Sequence, residues 1–334
     1  MKELKISFLV FLIVTIFFAC EKVIEIDIKS EGNQLVVEGY IQQGYPSYVF
    51  LTTSESYFNP IDSNTLDNLV VDDAQVFVER EDGIMHELTH VDQSLIDSLN
   101  LLSDTIELPL QALYIDLSYQ EDDFSQINYR YTLKVVWKND TISATTFIPP
   151  PYPIDSIWVK RKESTNNHKC FIWAQINDPD TLGNSITAYY KRDVRWKPMD
   201  PLFIPCAIRV RTDDIINGEN FSTYFARSGR VDDDDGVFLP FDAERIIDGN
   251  IVKADIVLLR ISHVTMETYK FFRSAYLMEN ANGNPFAEPM NLSSNIDGGL
   301  GIWAGYGVSY YYVPIVPDTV IYDTYDHVKV FEIF

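Results

Sequence analysis

Residues 129–148 read YRYTLKVVWKNDTISATTFI, and this stretch decides the fold class. Apolar and polar side chains alternate from Tyr129 to Trp137, as they do where successive residues of a strand point to opposite faces. A turn-forming Lys-Asn-Asp follows, and then a second alternating run over residues 141–148. The pattern predicts a β-hairpin with one buried face and one exposed face.

Similar runs recur along the chain at short spacing, with turn residues between them. Predicted strands cover residues 34–42, 48–54, 74–79, 84–91, 113–117, 156–160, 170–176, 187–196, 207–211 and 252–261, with closing strands around 307–316 and 327–333. Residues 93–102 fit either a short helix or a loop. Many short strands of this kind are typical of an all-β sandwich.

The apolar period changes to that of a helix in one place. Tyr269, Phe272 and Tyr276 recur at helical spacing, which predicts one α-helix over residues 264–281. Ser262 is a candidate N-cap, and the pair Asn282-Gly283 is a suitable end.

A proline run at residues 149–151 suggests how the chain is divided, because proline cannot donate to a sheet. We therefore predict an all-β protein with two sandwich-like, immunoglobulin-like domains. The first covers residues 33–148, and the second covers residues 152–334 and includes the helix.

The first twenty residues predict export and lipidation. Basic Lys2 and Lys5 precede an unbroken apolar run over residues 8–19, and Cys20 follows. A dozen apolar residues are too few to span a bilayer, which needs about 20, so residues 1–19 fit a signal peptide. A cysteine at the cleavage point is the acceptor for bacterial lipoprotein maturation, so Cys20 is the predicted site for acyl chains such as palmitate. Residues 20–32 would then be a lipidated tether. A plain secretory peptide or an unprocessed helix are the alternatives.

Charge restricts the partners. The 334 residues carry a formal net charge of −23, which repels phosphate backbones and excludes nucleic acid as a partner. The same charge favours solubility and cationic ligands. Beyond Cys20, the chain contains Cys170 and Cys206. In an oxidising compartment these two could form a disulfide, or they could be two buried free thiols.

Residues 86–90 read HELTH and match the zinc-protease signature His-Glu-x-x-His. His86 and His90 would bind one zinc ion only on a helix, where they are one turn apart. Here the motif follows a hairpin turn at Glu81-Asp82-Gly83, and on a strand the two histidines are roughly 13 Å apart. Zinc hydrolysis through His86, Glu87 and His90 is therefore a remote alternative, and we expect no cofactor.

Three other patterns remain candidates. Residues 232–236 (DDDDG) are acidic but out of register with a calcium-binding EF-hand loop, so a solvated loop is expected. An Asp-Thr-apolar triplet, similar to an O-glycosylation motif of exported Bacteroidota proteins, occurs at Thr105, Thr141 and Thr181. An aromatic cluster near the C-terminus fits either a binding surface or core packing; it consists of Trp303, Tyr306, Tyr310, Tyr311 and Tyr312.

Several stretches resemble one family. Residues 20–27 (CEKVIEID) and 35–39 (LVVEG) are similar to the start of domain-of-unknown-function family 4249. The matches at 214–218 (DIING), 284–289 (NPFAEP) and 294–306 (SNIDGGLGIWAGY) extend the resemblance over nearly the whole mature chain. It implies a Bacteroidota outer-membrane lipoprotein, often encoded beside a TonB-dependent receptor, and it carries over no catalytic residues.

These observations lead to one functional expectation. We expect a non-enzymatic outer-membrane lipoprotein, anchored by Cys20 on the cell surface or the periplasmic face, that binds a ligand or docks on a TonB-dependent receptor in nutrient uptake. A structural or adhesive surface lipoprotein is the alternative.

Overall fold

A computed structural model of the chain describes residues 34–55, 68–92, 94–95, 110–161, 170–193, 202–214, 217–227, 238, 245–247, 250–252, 256–281 and 291–326. Most of the segments in which apolar and polar residues alternate form β-strands. The first half contributes β1 (Leu35–Gln42), β2 (Tyr48–Thr53), β3 (Gln75–Arg80), β4 (Met85–His90), β5 (Leu113–Ile115), β6 (Arg130–Trp137) and β7 (Asp140–Phe147). Two single-turn 3₁₀ segments flank β5, at Leu110–Ala112 and Glu121–Asp123.

The described residues of the second half add further strands and one α-helix. The strands are β8 (Ile154–Arg161), β9 (Cys170–Asn177), β10 (Ser185–Asp193), β11 (Ile204–Thr212), β12 (Asn220–Phe225), β13 (Arg245–Ile247), β14 (Asn250–Val252), β15 (Ile256–Val264), β16 (Leu300–Pro314) and β17 (Val320–Ile321). The helix is α1 (Met266–Ala281). The prediction of a mainly β fold with one helix near 264–281 is confirmed.

The strands form two main sheets. One has eleven strands in the order β11-β10-β15-β16-β1-β2-β5-β4-β3-β6-β7, and the other has four in the order β12-β9-β8-β17. Their pairs are antiparallel except for β1 and β16, which run parallel with Val36 opposite Leu300 and Gln42 opposite Tyr306. The first long strand of the described chain therefore lies beside the last long one.

Two hydrophobic cores lie along this architecture. The first core is formed mainly by strands of the first half, with Val37 and Leu133 among its residues, and β16 contributes Trp303. In the second half, the four-stranded sheet packs on the large sheet as a sandwich, with Ile172 and Leu259 among the residues between the layers. A third cluster lies on the other face of the large sheet, where Phe272 of α1 packs.

The proline run passes between the two main cores. A Cβ on Gly305 would lie 2.2 Å from the Phe147 carbonyl oxygen, and one on Gly307 would lie 2.1 Å from that of Pro149. Glycine is required at both positions because two backbones cross there in near contact. Strand β16 continues beneath this crossing and contributes Trp303 to the first core and Tyr311 to the second.

The predicted division into two separate domains is not confirmed. Strands from both sides of residues 149–151 hydrogen-bond in one sheet, and the described residues from 34 to 326 belong to one compact unit. As expected, the prolines interrupt the series of strands. They lie between two hydrophobic cores, but strands before and after them belong to the same sheet.

Two local predictions also change. Ser262 does not cap α1, because it is fully buried within β15. Thr265 takes that place, since its Oγ1 accepts a hydrogen bond from the Thr268 amide at 3.4 Å. The closing strand predicted around 307–316 starts earlier, because β16 runs from Leu300 to Pro314. The predicted strand at 327–333 and most of the segment at 93–102 lie outside the described residues.

Candidate functional site

The aromatic cluster predicted near the C-terminus is mostly core. Trp303 is fully buried, and Tyr306, Tyr310 and Tyr311 are at most 6% exposed, whereas Tyr312 is 39% exposed. Side chains this deeply buried cannot form a binding surface, so the interpretation of the cluster as a platform gives way to core packing for four of its five residues. Both faces of β16 are covered, one by the two cores and the other by the cluster beneath α1.

Tyr306 and Tyr310 take part in a buried polar network. The guanidinium of Arg260 lies 5.1 Å from the ring centroid of Tyr306, and its Nη2 donates to Gln42 Oε1 at 3.0 Å. Gln42 Nε2 in turn donates to the Tyr310 hydroxyl at 3.1 Å. Burial raises the pKa of Tyr306 well above its ordinary value, so this phenol stays neutral. These contacts join β1, β15 and β16 and act as structural hydrogen bonds.

The His-Glu-x-x-His segment is a strand, as predicted. In β4 the side chains of His86 and His90 share one face and Glu87 is on the other. His86 is buried and His90 Nε2 donates to the Gln111 carbonyl oxygen at 2.8 Å. No group of three or more metal-binding side chains occurs among the residues that the structure describes.

His86 has a different partner, which the sequence did not indicate. Its Nδ1 lies 2.9 Å from Oδ2 of the buried Asp116, and the Ser118 hydroxyl lies 3.3 Å from the same nitrogen. In a Ser-His-Asp triad the serine and the aspartate use opposite ring nitrogens, so this group is not a triad. The ring also stacks on Phe124 at 3.8 Å between centroids. The arrangement holds β4 against the loop after β5.

Cys170 and Cys206 are both buried, and neither forms a disulfide within the described residues. Cys170 lies in β9 of the four-stranded sheet and Cys206 in β11 of the large sheet. Burial raises the pKa of the Cys206 thiol to about 12. The sequence allowed either a disulfide between Cys170 and Cys206 or two buried thiols, and the structure contains the two thiols.

The other predicted positions are partly described. Thr141 in β7 and Thr181 in the loop before β10 are exposed to solvent, and their glycosylation stays a prediction. Cys20, Thr105 and the acidic run at 232–236 lie outside the described residues.

A small cavity lies where the edge strands of the two sheets meet. It has a volume of about 210 Å³ and is lined in part by Tyr152, Arg211 and Asp213. Asp213 is buried and accepts hydrogen bonds from the amides of Gly183 and Asn184 at 3.0–3.1 Å. Arg211 Nη2 donates to the Tyr224 carbonyl oxygen at 2.7 Å. The charged groups of this cavity therefore hold loops and strands of the fold.

The outer face of the four-stranded sheet carries an aromatic row that sequence reasoning missed. Tyr224 of β12 is directly opposite Trp173 of β9, and Trp173 is directly opposite Trp158 of β8. Val320 of β17 lies opposite Trp158, so one row crosses all four strands. We call the three aromatic residues of this row, Tyr224, Trp173 and Trp158, the aromatic row.

The rings of the aromatic row are in contact and accessible. The centroids of Trp158 and Trp173 are 6.2 Å apart with an interplanar angle of 18°, and those of Trp173 and Tyr224 are 5.3 Å apart. Tyr224 is 40% exposed, and both tryptophans are partly exposed. Phe171 lies 4.9 Å from Tyr224 and widens the aromatic surface. Large accessible rings on a regular sheet form a rigid contact surface.

A polar row runs beside the aromatic row, two residues further along the strands. Ser222, Gln175 and Ser156 are directly opposite one another on β12, β9 and β8. The Ser222 hydroxyl donates to Gln175 Oε1 at 2.7 Å. The sheet thus presents apolar rings and hydrogen-bonding groups in parallel lines on one face.

The alternation of β8 and β9 contained a signal for this surface. Ile157, Val159 and Ile172 point inward, so the neighbouring Trp158 and Trp173 had to point outward. Their alignment in one row depends on strand register, which a sequence does not provide.

The fold is thus an all-β assembly with two cores and one exposed aromatic sheet face. The chain belongs to a family described as Domain of unknown function (DUF4249), whose model matches residues 21–311. No match was found among curated proteins. None of the helices within the described ranges is both long and apolar enough to cross a membrane.

Proposed function

We propose that this chain is a non-enzymatic binding protein, held at the outer membrane by lipid on Cys20 and accessory to a TonB-dependent receptor. The aromatic row is the observation that carries the binding role. Tryptophan and tyrosine supply large contact areas at low entropic cost. A sheet face that exposes three such side chains in mutual contact commonly marks a binding surface.

The N-terminal sequence supports the anchor. Residues 1–19 have the charge and apolar length of an export signal, and Cys20 stands at the cleavage point. Each buried methylene of an acyl chain contributes about 0.8 kcal/mol, so several chains hold a protein stably at a bilayer.

The geometry around His86 supports a non-enzymatic role. The Nδ1 atom of His86 is hydrogen-bonded to Asp116. His90 lies four residues further along the same face of the extended strand, so the two imidazoles are far apart. A zinc hydrolase would need both imidazoles within reach of one ion, at about 2.0–2.1 Å each.

Membrane fractionation of the producing cell tests the anchor. We expect wild-type protein to sediment with the envelope and Cys20→Ser to be released, while Cys170→Ala, which keeps Cys20, sediments like wild type. Equal sedimentation of Cys20→Ser and wild type would contradict the anchor.

Detergent extraction of native membranes tests the partner. We expect a TonB-dependent receptor to co-purify with the wild-type protein, identified by mass spectrometry. Extraction without any such receptor, together with a cell-attachment defect on deletion, would favour an adhesive role instead.

A further inference from the structure

We infer that the aromatic row binds a neutral glycan, with pyranose rings stacked on Trp158, Trp173 and Tyr224. This inference rests on the proposed role as a binding protein and names the class of ligand. The argument uses the shape of the surface, its polar neighbours and its charge.

The shape fits a chain of flat rings. Neighbouring strands of a sheet are about 4.8 Å apart, so the row from Tyr224 to Val320 spans roughly 14 Å in a line across the strands. Pairing in register keeps the row straight, because each residue lies directly opposite the next. A linear ligand with several apolar faces can therefore contact more than one ring at once.

The polar row offers hydrogen-bonding partners for the hydroxyl groups at the edge of a sugar ring. A pyranose ring presents C–H groups on its faces and hydroxyl groups around its edge. Rings stacked on the aromatic row would place edge hydroxyls toward Ser222, Gln175 and Ser156, which are about 7 Å away along the strands. Hydroxyl and amide side chains both donate and accept, as sugar hydroxyls do.

The charge of the surface favours an uncharged ligand. The chain as a whole carries a net charge of −23. Yet the outward positions from Ser156 to Lys160, Phe171 to Asn177 and Asn220 to Tyr224 include one charged side chain, Lys160, whose Nζ lies 5.9 Å from the Trp173 ring centroid. The exposed Asp155 lies at the margin of this surface, before Ser156. Stacked nucleobases would bring phosphates that this net charge repels, whereas a neutral glycan brings no charge.

Affinity gel electrophoresis of the full-length chain in detergent tests the inference. Native gels would contain a mixed-linkage β-glucan, a xylan, a mannan or a starch, with polygalacturonate as the charged comparison. We expect at least one neutral polysaccharide to retard the wild-type protein. Trp173→Ala and Trp158→Ala should each weaken that binding by about tenfold, the size expected when one stacked ring is lost.

Two further variants separate lost stacking from lost folding. Trp173→Phe keeps an aromatic ring and should retain most of the binding. Tyr276→Ala removes an exposed tyrosine of α1, 56% accessible, and should bind like wild type. Thermal unfolding of each variant shows whether the protein remains folded.

Two outcomes would overturn the inference. One is folded wild-type protein that none of the four neutral polysaccharides retards. The other is retardation that both tryptophan-to-alanine variants leave unchanged. If either outcome holds and the variants also lose a co-purifying protein, the aromatic row docks a protein partner; the glycan is then excluded while the proposed binding role and anchor stand.

Discussion

The indole of Trp303 and the backbone of Tyr131 are joined across the first core. Trp303 Nε1 donates to the Tyr131 carbonyl oxygen at 3.0 Å, and the two residues are 172 positions apart in sequence. The bond ties β16 to β6, so a strand from late in the chain completes the core that is formed mainly by the early strands.

Replacing Trp303 by phenylalanine should therefore destabilise the whole fold. The change leaves a cavity and removes the donor to a buried carbonyl, for a combined cost of about 3 kcal/mol. Urea unfolding followed by circular dichroism measures it. Trp137→Phe is the control, because that indole donates to Asp73 at an exposed position and should cost about 1 kcal/mol or less. Equal losses for the two variants would contradict the role of Trp303.

Gly305→Ala should also be costly. The added methyl would lie 2.2 Å from the Phe147 carbonyl oxygen, so the crossing backbones must separate. We expect a loss of about 3 kcal/mol from overpacking. Gly44→Ala is the comparison, since φ there is +74° and no atom lies within 4 Å, so only backbone strain of about 1–2 kcal/mol applies. A smaller loss at Gly305 than at Gly44 would show that the crossing is not tight.

Asp116→Ala should destabilise the protein through its hydrogen bonds. The carboxylate accepts from His86 Nδ1, the Ser118 amide and the Ser118 hydroxyl, each at 2.9 Å, and it is fully buried. Donors left without this acceptor should cost about 3 kcal/mol in chemical unfolding. Glu79→Ala breaks the exposed pair with Lys134 and should cost less than about 1 kcal/mol. Bound zinc that is lost from Asp116→Ala would instead point to a metal site.

His263 should make stability depend on pH. Burial lowers its pKa below the ordinary value of 6.5, although the Nδ1–H bond to the Pro150 carbonyl oxygen partly opposes this shift. The unfolded chain therefore binds the proton more tightly, and stability is complete above about pH 6.5 and falls as pH drops toward the folded-state pKa. His263→Gln should lose less stability than wild type between about pH 7 and 5. Parallel curves for the two proteins would contradict this assignment.

Cys170 and Cys206 should resist alkylation in the native protein. Both thiols are at most 2% exposed, and the raised pKa of Cys206, about 12, leaves almost no thiolate at pH 8. We expect mass spectrometry to detect iodoacetamide adducts on both only after unfolding without reductant. Absence of adducts under those conditions would indicate a disulfide.

Local pattern was sufficient for most strands and for the helix. Alternation identified β6 and β7 within a residue at each end, because the period of two survives wherever one face is buried. The change of period at Tyr269 likewise identified α1.

Features that depend on distant residues could not be predicted. The close backbone approach that requires Gly305 involves Phe147, which is far away in the sequence. The parallel pairing of β1 with β16 and the alignment of Trp158 with Trp173 both depend on strand register. Sequence reasoning recognised that Trp303 was either surface or core, and only its position between strands decided which.

The adjacency of β1 and β16 bears on how the chain is made. A ribosome delivers residues 35–42 long before residues 300–306, so the first strand waits for its parallel neighbour until those later residues have been made. Contacts so remote in sequence slow folding, because a long loop must close before they form. A nascent chain released before residue 300 would lack the strand between β1 and β15, and its exposed edges would invite aggregation.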